Sequence, residues 1–142
     1  MESPWLLDPQ LAADTVPVGD MVLSRLLLAN DANFPWAILV PRRPGLVDLI
    51  DLGAPEQIQL LGEIAAVARL LKSITTCDKL NIAALGNVVA QLHVHVIARR
   101  HHDAAWPKPV WGVAAPAAYD AAVRQDLIGA LRRGLQIGPI DD

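Results

Sequence analysis

The sequence predicts an α+β fold: an antiparallel sheet, one long central helix and a C-terminal helix. Three observations carry that prediction. Short apolar runs bounded by turn formers stand on both sides of a long segment with helical periodicity. The runs within each group are joined by connections short enough for antiparallel neighbours. A second helical segment then ends the chain, and strands and helices in that order suit α+β rather than a parallel sheet.

Residues 1–20 contain three prolines and scattered acids, and read as an irregular lead-in with one helical turn near "DPQLAAD". "MVLSRLLLAND" (21–31) is a dense apolar strand closed by Asn30 and Asp31. "WAILVPRR" (36–43) is a second strand, ended by Pro41 and the "RRPG" turn. The link "NDANFP" is rich in turn formers, so the two strands form a hairpin. From Pro55 to Thr75 the period changes. Leu60, Leu61, Ile64, Val67, Ala68, Leu71 and Ile74 recur at helical spacing, with Gln59, Glu63, Arg69 and Ser73 on the other side. Pro55 and Glu56 suit a first turn, since proline has no amide to lose there and the acid faces the positive end of the dipole.

"KLNIAAL" (79–85) and "QLHVHVIA" (91–98) are two further strands joined by "GNVVA" (86–90). Residues 101–118 form a loop rich in Pro, Ala and Trp, in which Trp106 and Trp111 read as packing residues. The last helix covers 119–135, with Val123, Leu127, Ala130 and Leu131 on one side. Both helices should cover the same face of the sheet and leave the other face free for a site or a partner.

The chain has 142 residues, 53% hydrophobic and 19% charged, which predicts one domain over 1–142 with one core. Its net charge of −3 argues against a nucleic-acid partner, which a basic patch would recruit. The lone Cys77 excludes a disulfide framework or a cysteine zinc site within one chain and suits a reducing cytoplasm. The first ten residues do not read as a signal peptide, and no apolar run approaches membrane-spanning length.

"QLHVHVIARR" (91–100) carries the chemistry. Side chains alternate faces along a strand. Gln91, His93 and His95 therefore share one face, with the two histidine Cα atoms about 6.5–7 Å apart, and Leu92, Val94 and Val96 face the helices. Three readings stay open from the residues alone. The histidines are ordinary half-exposed strand residues; or two ligands of a metal, with His101 or His102 as a third; or a nucleophile and its neighbour acting at phosphorus. Arg99 and Arg100 would suit an anionic substrate, although arginines so placed are more often solvated.

The stretch resembles the signature of the histidine triad (HIT) superfamily, His-φ-His-φ-His-φ-φ with φ apolar. "QLHVHVI" matches six of its seven positions, with Gln91 in place of the first histidine. The order of features over residues 8–112 is similar too: "ND" after a strand, a strand ending "VPRR", a long helix, an Asn on the next strand and a Gly-Asn pair. The resemblance implies a HIT-like nucleotide-binding α+β fold with an antiparallel sheet of about five strands, usually a homodimer, whose members are hydrolases or transferases acting at the α-phosphate of a nucleoside phosphate. Position by position it implies His93 as the nucleophile that forms a nucleotidyl-histidine intermediate, and His95 beside the phosphate. It also implies Asn81, Gly86, Asn87 and Val88 along the phosphate site and Asn30 and Asp31 at the sugar. No cofactor is implied.

Two positions depart from the pattern. Gln91 cannot shuttle a proton, although it can donate and accept hydrogen bonds, and its backbone carbonyl remains to hold a histidine tautomer. Trp36 stands where many members carry a histidine that joins a structural zinc. With both histidines and the N-terminal cysteines missing, no metal is expected there, and the indole is expected to fill the space. The resulting expectation is a metal-independent enzyme acting on a dinucleoside polyphosphate or a nucleoside phosphoramidate, with Gln91, His93 and His95 at its centre; a nucleotide-binding sensor without chemistry is the alternative.

Overall fold

A computed structural model describes residues 3–141. Among these residues five strands form one antiparallel sheet: β1 (Thr15–Asp20), β2 (Ser24–Ala29), β3 (Trp36–Pro41), β4 (Lys79–Ala83) and β5 (Val94–Arg99). Their spatial order is β1-β2-β3-β5-β4. The helices are α1 (Pro9–Asp14), α2 (Ala54–Thr75) and α3 (Ala121–Leu135). The expected α+β class, the hairpin of β2 and β3, the long helix and the C-terminal helix are all present. No helix of the described residues is long and apolar enough to cross a membrane.

The helical turn expected near Asp8 is present as α1, but residues 15–20 form a strand rather than irregular chain. Asp8 caps α1 through its side chain, which accepts from the Gln10 amide, and Pro9 suits the first turn that follows. The chain then continues straight into β1, which pairs with β2 along its length and carries a bulge between Pro17 and Gly19. Pro17 and Gly19 disguise this strand in the sequence. A proline is tolerated here because β1 is an edge strand.

Alternation along the strands sorts the side chains onto two faces. Leu26, Leu28, Ala37, Leu39, Val96 and Ala98 pack against Val67, Leu71, Ile128 and Leu131 of α2 and α3. Each fully buried Leu on this face contributes about 2 kcal/mol of transfer free energy. The helical stripes are narrower than the sequence pattern suggested. Leu61 and Val123 are exposed, while Glu63, expected on the outer side, is buried. Its carboxylate accepts from the backbone amides of Leu23 and Ser24 at 2.8 and 2.9 Å. A carboxylate inside the core is tolerated because it satisfies the turn between β1 and β2.

The opposite face is covered rather than free. Leu27, Ala29, Ile38 and Val40 pack with Leu11 of α1 and with Trp5 and Leu7 before it. Phe34 and Ile97 pack with Ala105 and Val110 of the loop after β5. The N-terminal segment is fastened by Gln91, whose Oε1 accepts from the Asp8 amide and whose Nε2 donates to the Leu6 carbonyl.

Arg99 also corrects the expectation of a solvated side chain. Its side chain is 1% exposed. The guanidinium donates to both carboxylate oxygens of Asp103 and to Asn81 Oδ1, between the rings of Phe34 and Trp106. Arg100 is likewise committed to protein, donating to the Thr75 carbonyl at the end of α2. Burial pushes the Asp103 carboxyl up. Hydrogen bonds from Arg99 and from the amides of Arg100, Ala105 and Trp106 together overcome that and hold it well below its ordinary 3.8.

Removing one partner of a buried ion pair leaves the other charge uncompensated. Asp103→Asn should therefore lower the unfolding free energy by about 3 kcal/mol, read from urea denaturation at pH 7. Because the folded carboxyl sits below its unfolded value, its stabilisation is present above pH 3.8 and is lost as pH falls below that. Wild type should show this acid-side loss, and Asp103→Asn should lack it.

Candidate functional site

His95 lies in β5 and His93 one residue before it. The strand begins at Val94 rather than Gln91 because the Leu92 amide bonds the Leu46 carbonyl instead of a neighbouring strand. The alternation still holds. Leu92 and Val94 pack with Leu60 of α2, and both histidines face the other way. They are not half-exposed: His93 is 7% and His95 6% accessible. Their rings meet at 4.9 Å between centroids and 72° between planes.

Each ring has its tautomer dictated by one partner. His93 Nδ1 is 2.7 Å from the Gln91 carbonyl oxygen. A carbonyl only accepts, so in the neutral ring Nδ1 carries the proton and donates it, and Nε2 keeps its lone pair. His95 is held in the opposite sense. The Trp36 Nε1–H donates to His95 Nδ1 at 2.9 Å. An indole N–H can only donate, so Nδ1 is bare and the proton sits on Nε2. Burial, and then the adjacent His93, push the His95 pKa down to about 4. At neutral pH His95 is a neutral ring offering one N–H.

A cavity of about 650 Å³ opens in front of the pair, within the range of small-molecule sites. His93, His95, Trp36 and Trp111 line it together with residues of α1 and the start of β1. Trp111 does more than pack the loop. It stands edge-on to His95 at 5.0 Å and to Trp36 at 5.8 Å. Trp106 does pack, against Arg99 and His101.

Of the residues singled out from the sequence, Asn30, Asp31, Gly86, Asn87 and Val88 line this cavity together with His93 and His95. Gly86 adopts φ +71°, a left-handed conformation that a side chain would strain, and so turns the chain into the rim. Asp31 Oδ1 accepts from the amides of Asn33 and Ala117, which ties the β2–β3 loop to the segment before α3. Asn81 and Gln91 are not brought into the cavity. Asn81 Oδ1 is held by Arg99, and the Gln91 amide holds the N-terminal segment. His101 and His102 lie exposed beyond β5, with His101 against Trp106. Among the described residues no three His, Cys, Asp or Glu side chains gather to share a metal ion.

Sequence reasoning missed the wall supplied by Gln10, Leu11, Asp14 and Thr15. The usable signal was the Asp-Pro cap of α1. A second, more open cleft of about 570 Å³ lies over Asp20, Glu63 and Gln136. Its buried carboxylate, Glu63, is already satisfied by backbone amides, and it holds no histidine.

The His95 shift sets a stability window. Its folded value of about 4 lies below the ordinary 6.5, so between those values the unfolded chain binds the proton first. Stability should be full above pH 6.5 and fall as pH drops from 6.5 to about 4. Urea midpoints at pH 7.5 and 4.5 should show the loss in wild type and a smaller one in His95→Gln.

Comparisons with known proteins agree with this architecture. Residues 10–102 match the HIT domain family. Among solved structures, the chain is 58% identical to a histidine triad protein from Bradyrhizobium japonicum, with a TM-score of 0.92 over 94% of this chain and 99% of that one. It is 39% identical to a histidine triad protein from Sinorhizobium meliloti, with a TM-score of 0.89 over 92% of this chain and 96% of that one. Identity to a histidine triad protein from Marinobacter aquaeolei is also 39%, with a TM-score of 0.91 over 96% and 100% of the two chains. No curated protein matches. The sheet, the paired histidines and these relatives together establish that the chain belongs to the HIT domain family, whose membership implies nucleotide-binding or hydrolase activity.

Proposed function

We propose that this protein is a metal-independent nucleotide hydrolase or nucleotidyl transferase. It attacks the α-phosphorus of a nucleoside phosphate derivative, a dinucleoside polyphosphate or a nucleoside phosphoramidate. The observation that carries this reading is the contact between His93 Nδ1 and the Gln91 carbonyl at 2.7 Å. It leaves the Nε2 lone pair available on a ring that lines the cavity.

In the first step the Nε2 pair forms a bond to the α-phosphorus, and the bond to the leaving group breaks with its electron pair on that group. In the second, the oxygen of water or another acceptor attacks phosphorus, the N–P bond returns its pair to Nε2, and the acceptor's proton passes to solvent. His95 donates its Nε2–H to a phosphate oxygen in both steps and stabilises the charge that gathers there. Gly86, Asn87 and Val88 hold the phosphate, and Asn30 and Asp31 hold the sugar. Gln91 acts through its backbone carbonyl, and its side chain and Asn81 support the site from outside the cavity. With Trp36 in the space beside His95, the chain represents a branch of the family that has Gln at the first triad position and lacks the zinc site.

The competing reading is a nucleotide-binding sensor without chemistry. The commitment of Gln91 to Leu6 and Asp8 favours it, because the first triad position then offers no acid or base. A panel of dinucleoside polyphosphates and phosphoramidates distinguishes the two. Wild type should turn over at least one class, and His93→Ala should lose on the order of 10⁴-fold or more in kcat/KM. Nucleotide binding without turnover of any member would establish the sensor instead.

A homodimer also follows from this reading. Among the described residues strand β4 ends the sheet, and its Ile82 is 51% exposed, so an apolar edge strand is available to a second copy. Sedimentation equilibrium should give twice the chain mass, and Ile82→Lys should shift it toward the monomer.

A further inference from the structure

Among the described residues around the paired histidines, the groups other than His95 that could carry a proton to a departing group are already committed. The His93 Nδ1–H is held by the Gln91 carbonyl, and the Gln91 amide is held by Leu6 and Asp8. The carboxylates lining the cavity are acceptors: Asp31 from the amides of Asn33 and Ala117, and Asp14 from Gln10 Nε2. His95 remains, and it faces His93 along the chain, Trp36 from β3 and Trp111 from the loop after β5.

We propose that Trp36 is a positioning residue that locks His95 as a neutral Nε2–H donor, so that the site favours leaving groups able to depart without a proton. This rests on His93 as the nucleophile. The lock follows from the indole having a hydrogen and no lone pair. A proton on His95 Nδ1 would point at the Trp36 N–H, 2.9 Å away, and the ring would have to turn out of its contacts with Trp111 and His93 to take one. The neutral ring gives a hydrogen bond to a phosphate oxygen and neither loses nor gains a proton. When the His93–phosphorus bond forms, the breaking bond therefore leaves its electron pair on a group that must bear it as an anion. A phosphate, a pyrophosphate or an acidic phenolate does so. An alkoxide or an unprotonated amide anion does not, and such substrates depend on water in the cavity for their proton. The chemical class favoured is a nucleotide bonded to a phosphoryl or other low-pKa oxygen group, which within the proposed function selects the polyphosphates over the phosphoramidates.

Two measurements test this. The first is ¹⁵N NMR of imidazole-labelled wild type between pH 5 and 8. His95 should show a bare Nδ1 and a protonated Nε2 throughout; an Nδ1–H tautomer or an imidazolium at pH 6 overturns the lock, whatever the enzyme turns over. The second is a series of substituted-phenyl esters of AMP and of GMP. In wild type, kcat/KM, which reports the step that breaks the bond to the leaving group, should fall steeply as leaving-group pKa rises. Trp36→Phe keeps an aromatic ring and removes the N–H, so the His95 titration should move upward and the dependence should flatten on the acid side. Equal slopes in the two proteins overturn the leaving-group assignment. If His93→Ala turns the esters over as wild type does, the nucleophile assignment falls and takes the leaving-group part with it. The NMR result on His95 stands apart from that outcome.

Discussion

Strand β5 is buried on both sides, and that constraint organises the molecule. One side carries Val94, Val96 and Ala98 onto the helix layer, where only apolar side chains fit. The other carries His95, Ile97 and Arg99, with His93 just before them, beneath a second covering made by the N-terminal segment and the loop after β5. Polar groups buried there must find partners or cost several kcal/mol each. The loop after β5, the neighbouring strand β3 and the chain just before β5 supply one partner each. Arg99 is met by Asp103, His95 by Trp36 and His93 by the Gln91 carbonyl.

Two of these partners, the Trp36 indole and the Gln91 carbonyl, produce the chemical asymmetry of the site. Two histidines on adjacent inward positions would be interchangeable in water. Here one faces a pure acceptor and the other a pure donor, so they are fixed as opposite tautomers. One presents a lone pair and the other a hydrogen to the same cavity. Neither tautomer depends on a carboxylate partner. A backbone carbonyl and an indole serve instead.

The elements with strong periodic signals were legible in the sequence. The helix over α2, the hairpin of β2 and β3, and the facing of His93 and His95 against Val94 and Val96 all follow from spacing. What was not legible depends on contacts distant in sequence. β1 is masked by Pro17 and Gly19, and only its pairing with β2 makes it a strand. Glu63 reads as an outer helical residue, and only the turn at Leu23 and Ser24 explains its burial. Arg99 reads as solvated because Asp103 and Asn81 converge on it only in the fold. Gln91 drew attention as a missing histidine, yet its side chain fastens residues 6 to 8. Trp36 was legible as a filler and not as the donor that sets a tautomer.

The central claim is that Nε2 of His93 becomes covalently bonded to phosphorus during turnover. Base-quenched samples of wild type with a nucleotide phenyl ester, kept alkaline because acid cleaves the N–P bond, then digested and sequenced by mass spectrometry, address it directly. The account predicts a nucleotidyl group on His93 alone, absent from unreacted protein. Turnover at the same rate with no nucleotidyl-peptide at any quench time, or with the group on a different residue, would contradict it.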